Sequence, residues 1–184
     1  MKIGLFFGSF NPIHIGHLNI AQWFLNQTDI EKIIFIVSPQ SPFKSENDLM
    51  KYELRHKMVK LSIKNQHKMS VSKVEFSLSK PSYTINTLNA LKKQYPNSEL
   101  VIVMGSDTMV SLPQWHEIES VLKFPIYVFM RNTTDMNPFP NAEIKCFETP
   151  ILSVSASYIR QLLLEKKAIN FLVMDAIIPL LQQK

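Results

Sequence analysis

The sequence predicts an α/β protein whose mostly parallel, doubly wound sheet is covered by helices on both faces. Three observations lead there. Short apolar runs alternate along the chain with segments whose apolar residues recur at helical spacing, the pattern of strand, crossover and strand. The first two strands read as continuous apolar stretches rather than as alternations of apolar and polar, as strands buried on both faces do. The chain has 184 residues, 46% of them hydrophobic and 19% charged, which fits one folded domain over residues 1–184. A chain of this length buries about 70% of its unfolded surface and needs no disulfide or metal staple.

Each element follows from local pattern. Residues 3–7 are an apolar run that ends at Gly8-Ser9-Phe10-Asn11-Pro12, a buried strand entering a loop. Over 16–25 the apolar Leu18, Ile20, Ala21, Phe24 and Leu25 fall at helical spacing, and 33–37 is a second buried strand. Residues 38–44, with Pro39 and Pro42, read as a loop. Residues 50–63 fit a helix with Leu54, Met58, Leu61 and Ser62 on one side. Residues 69–78 alternate and predict a strand, Pro81 punctuates, and 83–95 return to helical spacing through Ile85, Leu88 and Leu91. A strand over 100–104 stops at Gly105, a helix closes over 121–124, and 126–130 predict another strand. Residues 132–141, rich in Asn, Thr and Pro, read as a surface loop, 144–147 as the last strand, and 155–166 and 171–181 as closing helices. In such a sheet ligands bind outside the carboxyl ends of the strands, where the strand order reverses.

Composition excludes several classes. Cys146 is the one cysteine, so an internal disulfide and a four-cysteine zinc site are ruled out, and the usage fits a reducing compartment. No apolar run approaches the ~20 residues of a membrane helix. The opening residues look like a signal peptide only until Ser9, Asn11, Pro12 and His14 interrupt them, so the expected location is the cytoplasm. Twenty Lys and Arg against fifteen Asp and Glu give a net charge of +5, which suits an anionic partner or a solvated basic surface. Glycine is scarce: Gly4, Gly8, Gly16 and Gly105 are all there are, roughly a third of ordinary usage, so their positions carry information.

The stretch Gly8-Ser9-Phe10-Asn11-Pro12-Ile13-His14-Ile15-Gly16-His17 follows a strand and precedes a helix. Gly8 is expected to let the backbone turn and present N–H groups to an anion, and Gly16 to let a bulky group approach the helix start. His14 and His17 fall on one side of the first helical turn, where the helix end adds positive potential. Together they would cradle the phosphates of a nucleotide. The glycine spacing is not the dinucleotide fingerprint, and no Gly-Lys-Ser/Thr follows. Two capping or core histidines are the plain alternative, and zinc ligation lacks a third ligand. Ser153-Val154-Ser155-Ala156-Ser157-Tyr158-Ile159-Arg160 offers a second anion site. Ser155 or Ser157 can cap a helix whose free N–H groups and Arg160 face one ligand. The alternative there is an ordinary capped helix with a surface arginine.

A strand followed by Gly-Ser/Thr-Phe-x-Pro and His-x-Gly-His resembles the nucleotidyltransferase superfamily with the HIGH signature, here literally His14-Ile15-Gly16-His17. The resemblance implies a Rossmann-like sheet and two histidines at the α-phosphate of a nucleoside triphosphate. Residues 153–160 resemble the Ile-Ser-Ser/Ala-Thr-x-Ile-Arg motif of short adenylyltransferases. Lys68-Met69-Ser70-Val71-Ser72-Lys73 looks like the KMSKS loop of class I aminoacyl-tRNA synthetases. It alternates like a strand, however, lies early in the chain, and leaves no room for a tRNA-reading domain. Three further stretches are similar to the nicotinate mononucleotide adenylyltransferases: Pro81-Ser82-Tyr83-Thr84-Ile85-Asn86-Thr87-Leu88, Gly105-Ser106-Asp107 with Leu112-Pro113-Gln114-Trp115, and a proline-rich loop ending at Lys44. Asn11 stands where that family usually has Asp, Phe7 where it has the first glycine of a pair, and Phe43 where His often precedes the lysine.

That resemblance implies a reaction in which ATP and nicotinate mononucleotide give the dinucleotide and pyrophosphate, with Mg²⁺ held on the triphosphate by phosphate and water. His14, His17, Lys44 and Arg160 would carry catalysis. Gly8, Ser9, Phe10, His17, Gly105, Asp107, Ser155 and Arg160 would bind ATP. Thr84, Trp115 and Arg131 would bind the mononucleotide, with Trp115 stacked on the pyridine ring. Plain alternatives stay open: Trp115 as a core anchor, Thr84 and Asp107 as helix caps, Lys44 as a solvated lysine, His116 as structural. No protein metal site, nucleic acid or membrane is expected as a partner, and oligomeric state stays open, a homo-oligomer included. The competing readings are another nucleotidyltransferase of the superfamily, acting on nicotinamide mononucleotide or pantetheine phosphate, and a nucleic-acid-binding module. The second rests on the +5 charge and is weakened by lysines spread along the chain.

Overall fold

Strands β1 (Lys2–Gly8), β2 (Lys32–Val37), β3 (Met69–Ser72), β4 (Glu99–Gly105), β5 (Ile126–Met130) and β6 (Ile144–Glu148) form one sheet in the computed structural model. The structure describes residues 1–39, 49–79, 81–130, 138–150 and 152–182. The strand order is β3-β2-β1-β4-β5-β6 and every pairing is parallel. The helices are α1 (Ile15–Gln27), α2 (Tyr52–Ser62), α3 (Thr84–Gln94), α4 (Ser106–Met109), α5 (Ile118–Val121), α6 (Ala156–Leu164) and α7 (Ile178–Gln182).

Continuous apolar strands supply two cores because successive side chains point to opposite faces. On β4, Val101 and Val103 join Phe6, Phe35, Tyr127 and the buried residues of α1, α2 and α6. Leu100, Ile102 and Met104 join Ile3, Leu5, Ile34, Ile36 and the buried residues of α3, α4 and α5 on the other face. Removing these side chains from water is the main favourable term, about 25 cal/mol per Å² of apolar surface. Among the described residues no helix is long and apolar enough to cross a membrane.

The expected strand over 69–78 stops at Ser72. Ser72 Oγ accepts from Val74 N–H at 3.1 Å and Ser77 Oγ donates to the Val74 carbonyl at 2.9 Å, and these local bonds stabilise a 3-10 turn at Val74–Phe76. Within the Lys68 to Lys73 stretch, Met69–Ser72 form the edge strand β3, as the alternation predicts. The helix expected over 171–181 is reduced to a 3-10 turn at Asp175–Ile177 and the short α7, after Phe171 takes φ 63°. The helix expected to close over 121–124 ends at Val121, and the helix that Asp107 was expected to cap after Gly105 is the four-residue α4, whose N-cap is Gly105 itself. The inner side of α2 holds Arg55, His56, Met58, Val59 and Ser62, while Leu54 and Leu61 are only partly buried. Of the loop expected over 38–44 only Ser38 and Pro39 are described, and of that over 132–141 only residues 138–141.

Candidate active site

Strand order reverses between β1 and β4, so Gly8 and Gly105 stand at the carboxyl ends on either side of a topological switch point. The chain leaves β1 through residues 9–14 to enter α1. No glycine takes a positive φ; the left-handed residue is Phe10, at φ 44°. The expectation that Gly8 supplies the turn is thus corrected. Gly8 is needed because a Cβ there would lie 2.8 Å from Phe10 Cζ. Phe10 is buried against the rings of Phe6, Phe35 and His17, with centroids 5.8, 5.5 and 5.0 Å away. That packing offsets a backbone conformation that bulky side chains seldom adopt. The Asn11–Pro12 peptide is cis.

His14 is the N-cap of α1 and is 4% exposed. Its backbone N–H donates to His17 Nδ1 at 3.3 Å, and the two rings face each other at 3.8 Å between centroids. Because Nδ1 of His17 accepts, the neutral ring carries its proton on Nε2, which makes that atom a donor. A Cβ on Gly16 would lie 3.0 Å from both His14 Nδ1 and Val154 Cγ1. Gly16 thus admits the segment before α6 to the start of α1. A cleft of about 270 Å³ opens there between His14, Gly16, Phe129 and residues 152–155.

The second anion motif arrives at the same place. Ser155 caps α6, its Oγ accepting from Tyr158 N–H at 3.1 Å. Arg160 Nη1 donates to the Asn11 carbonyl at 2.8 Å, across 149 residues of chain, and Nη2 lies 3.4 Å from Ser157 Oγ. Asn11 Oδ1 accepts from Met50 N–H at 3.0 Å, a role that an amide oxygen fills without charge. The structure therefore brings Ser9, Phe10, His14, His17, Ser155 and Arg160 around one loop.

A second group gathers near the start of α3. Tyr83, not Thr84, is its N-cap, and Thr84 is the first helical residue. Tyr83 stacks on His116, the chain neighbour of Trp115, at 4.3 Å between centroids. Trp115 is half-buried, packs against the second core, and donates from Nε1 to Ser111 Oγ at 3.3 Å. Gly105 caps α4, and Asp107 is exposed in its first turn. Lys44 and Arg131 lie outside the described residues. Two buried charged residues were missed in the sequence. Glu75 accepts from Thr87 Oγ1 at 2.8 Å, and its burial pushes the carboxyl above the ordinary range. Arg55 is 1% exposed, donates to four backbone carbonyls, and lies over the Tyr52 ring at 5.6 Å. Its one signal in the sequence is its place three residues before Met58 and seven before Ser62, on the inner stripe of α2.

The Cytidylyltransferase-like family profile matches residues 5–162, a span that includes both the histidine loop and Arg160. A protein of Cytophaga hutchinsonii, named a probable nicotinate-nucleotide adenylyltransferase, is 40% identical over 176 residues, covering 94% of this chain and 91% of its own. A protein of Flavobacterium psychrophilum with the same name is 38% identical over 174 residues, covering 92% and 90%. Among solved structures, Plasmodium falciparum nicotinic acid mononucleotide adenylyltransferase complexed with NaAD has a TM-score of 0.78 at 24% identity, covering 97% of this chain and 95% of that one. At that identity the likeness concerns the fold.

Proposed function

This chain belongs to the Cytidylyltransferase-like family and, within it, to the nicotinate-nucleotide adenylyltransferases, and we propose that it transfers the adenylyl group of ATP to nicotinate mononucleotide, releasing pyrophosphate in NAD biosynthesis. The observation that carries this reading is the bond from Arg160 to the Asn11 carbonyl, which unites the α6 anion motif with the histidine loop at the switch point. The reading treats residues 1–184 as one nucleotidyltransferase domain working in the cytoplasm; a single cysteine in the chain, Cys146, fits a reducing compartment.

The chemistry needs no protein nucleophile. The mononucleotide phosphate attacks the α-phosphorus in line, a P–O bond forms, and the bond to pyrophosphate breaks. The protein has to align two anions and offset charge on the transferring group. His14 and His17 Nε2–H face the α-phosphate, while Lys44, Arg160 and the Ser155-capped start of α6 meet the departing oxygens. The backbone of Gly8, Ser9 and Phe10 lines the triphosphate, and Gly105 and Asp107 meet the nucleoside. Thr84, Trp115 and Arg131 hold the mononucleotide. Among the described residues no three His, Cys, Asp or Glu side chains cluster where they could hold a metal ion. This donor set suits Mg²⁺ that enters with the triphosphate, kept by phosphate oxygens and water.

The test is incubation with ATP, Mg²⁺ and a panel of phosphorylated acceptors, following pyrophosphate release. Release is fastest with nicotinate mononucleotide; release with another acceptor only, or with none, overturns the reading. Lys44→Ala and Arg160→Ala each raise the ATP concentration needed for half-maximal rate and lower turnover, because both cations neutralise triphosphate oxygens. Steady-state kinetics check this, and wild-type constants in both variants would remove those residues from ATP. Trp115→Ala raises the apparent constant for the mononucleotide more than that for ATP, by about 1–3 kcal/mol of lost stacking. An equal rise for both substrates, or unfolding, would assign Trp115 to the core.

A further inference from the structure

We propose that Arg55 is a positioning residue that presets the triphosphate-facing backbone before ATP arrives, an inference that rests on the adenylyl-transfer reading. Its guanidinium ties the entry of its own helix to two segments that are remote from it in sequence. Nη1 donates to the Ser9 carbonyl at 2.6 Å and the Ser38 carbonyl at 2.8 Å, Nη2 donates to the Pro39 carbonyl at 3.0 Å, and Nε donates to the Met50 carbonyl at 2.8 Å. One nitrogen thus spans the chain just past the carboxyl ends of neighbouring strands β1 and β2. The other two hold the chain at Pro39 and at Met50, the entry to α2.

The bond to Ser9 has a consequence for the site. In a planar trans peptide the carbonyl and the following N–H point in opposite directions. Fixing the Ser9 carbonyl on Arg55 therefore turns the Phe10 N–H away from Arg55, in the loop that also carries Asn11 and His14. Phe10 sits at φ 44°, a conformation that relaxes unless its neighbours hold it. Arg55 holds the peptide on one side while the buried Phe10 ring holds it on the other. Burial disfavours the guanidinium charge, yet arginine is basic enough to keep it, and among the described residues four carbonyl dipoles and the Tyr52 ring, whose centroid lies 5.6 Å away, offset it. Lysine cannot reproduce the planar fork, because its donors radiate from a single atom.

The test uses Arg55→Lys and Arg55→Ala in the full chain, each assayed at the same interval below its own Tm. Both variants lower kcat by about tenfold to a hundredfold, the scale of a misplaced reacting geometry, and raise KM for ATP. KM for nicotinate mononucleotide stays at the wild-type value, and methylguanidinium restores turnover to Arg55→Ala. With isotope-labelled phenylalanine amides, a non-hydrolysable ATP analogue shifts the Phe10 signal in the wild-type protein and not in Arg55→Lys. A folded Arg55→Lys with wild-type kcat and ATP KM overturns the proposal. So does a loss that tracks only the folded fraction and affects both substrates alike, or failure of both variants to fold, which would make Arg55 a core residue. If the wild-type protein transfers no adenylyl group but the analogue still shifts Phe10 in an Arg55-dependent way, the functional reading fails and the positioning role stands.

Discussion

His17→Ala lowers kcat by roughly 10²–10³-fold, the usual loss when one preorganised donor to a transition-state charge is removed. The size of the effect follows from how the ring is held. His17 Nδ1 accepts the His14 N–H, so the proton resides on Nε2 before substrate binds. The Phe10 ring at 5.0 Å and the His14 ring at 3.8 Å fix its plane. A donor already in place needs no reorganisation as charge develops on the transferring group. Truncation also leaves the His14 N–H without that acceptor, which lowers stability by about 1 kcal/mol. Turnover at saturating substrates, measured beside a thermal melt, separates the two effects. Near-wild-type turnover in a folded variant would remove His17 from the reaction.

Nicotinate mononucleotide is used in preference to the nicotinamide form by roughly ten- to a hundredfold in kcat/KM, the equivalent of one unmade buried pairing at about 1–3 kcal/mol. The two substrates differ by a carboxylate against a neutral amide on the same ring. At the start of α3 the Tyr83 side chain makes no capping bond and the first turn holds no acidic residue. While the Asn86 N–H meets the Tyr83 carbonyl at 3.1 Å, those of Thr84 and Ile85 precede any carbonyl the helix could offer them. A carboxylate accepts from such donors with both oxygens, whereas an amide turns its own NH₂ toward them. No acid lies within residues 81–88 to receive that NH₂. The structure adds one from outside the segment, Glu75, whose Oε1 accepts from Thr87 Oγ1 and whose burial favours the uncharged form. The ratio of kcat/KM for the two mononucleotides under matched conditions checks the prediction. A ratio near one, or one that favours the amide, would leave adenylyl transfer standing and overturn the substrate.

The parts of the fold that sequence made legible are those where one strong periodicity acts alone. Strands β1, β2, β4 and β5 are apolar runs with a Gly, Ser or Arg just beyond or at the end, and α1 and α3 carry clear apolar stripes. Alternation over 69–78 misled because the hydroxyls of Ser72 and Ser77 bind the backbone locally and end the strand. Apolar spacing over 171–181 misled because Phe171 leaves the helical region and lies exposed. In the site, the histidine pair and Arg160 were readable because helix ends and short motifs are local. The turn was assigned to Gly8 because glycine is the usual carrier of positive φ, but here aromatic packing puts it on Phe10. Arg55 is not legible because a charge on an amphipathic helix reads as solvated; of its four carbonyl partners Met50 is local, and Ser9, Ser38 and Pro39 belong to two distant segments that no local pattern connects to α2.

The most direct test of the central claim follows the atoms. ATP carrying a radiolabelled α-phosphorus is incubated with Mg²⁺ and nicotinate mononucleotide whose phosphate oxygens bear a heavy isotope. The account predicts that the radiolabel appears in the dinucleotide in step with pyrophosphate, that the heavy oxygen stays in the dinucleotide, and that, in a parallel run with one diastereomer of the α-thio analogue of ATP, configuration at the α-phosphorus is inverted by a single in-line displacement. Heavy oxygen in the pyrophosphate, retained configuration, or radiolabel released as the free mononucleotide without dinucleotide would contradict it.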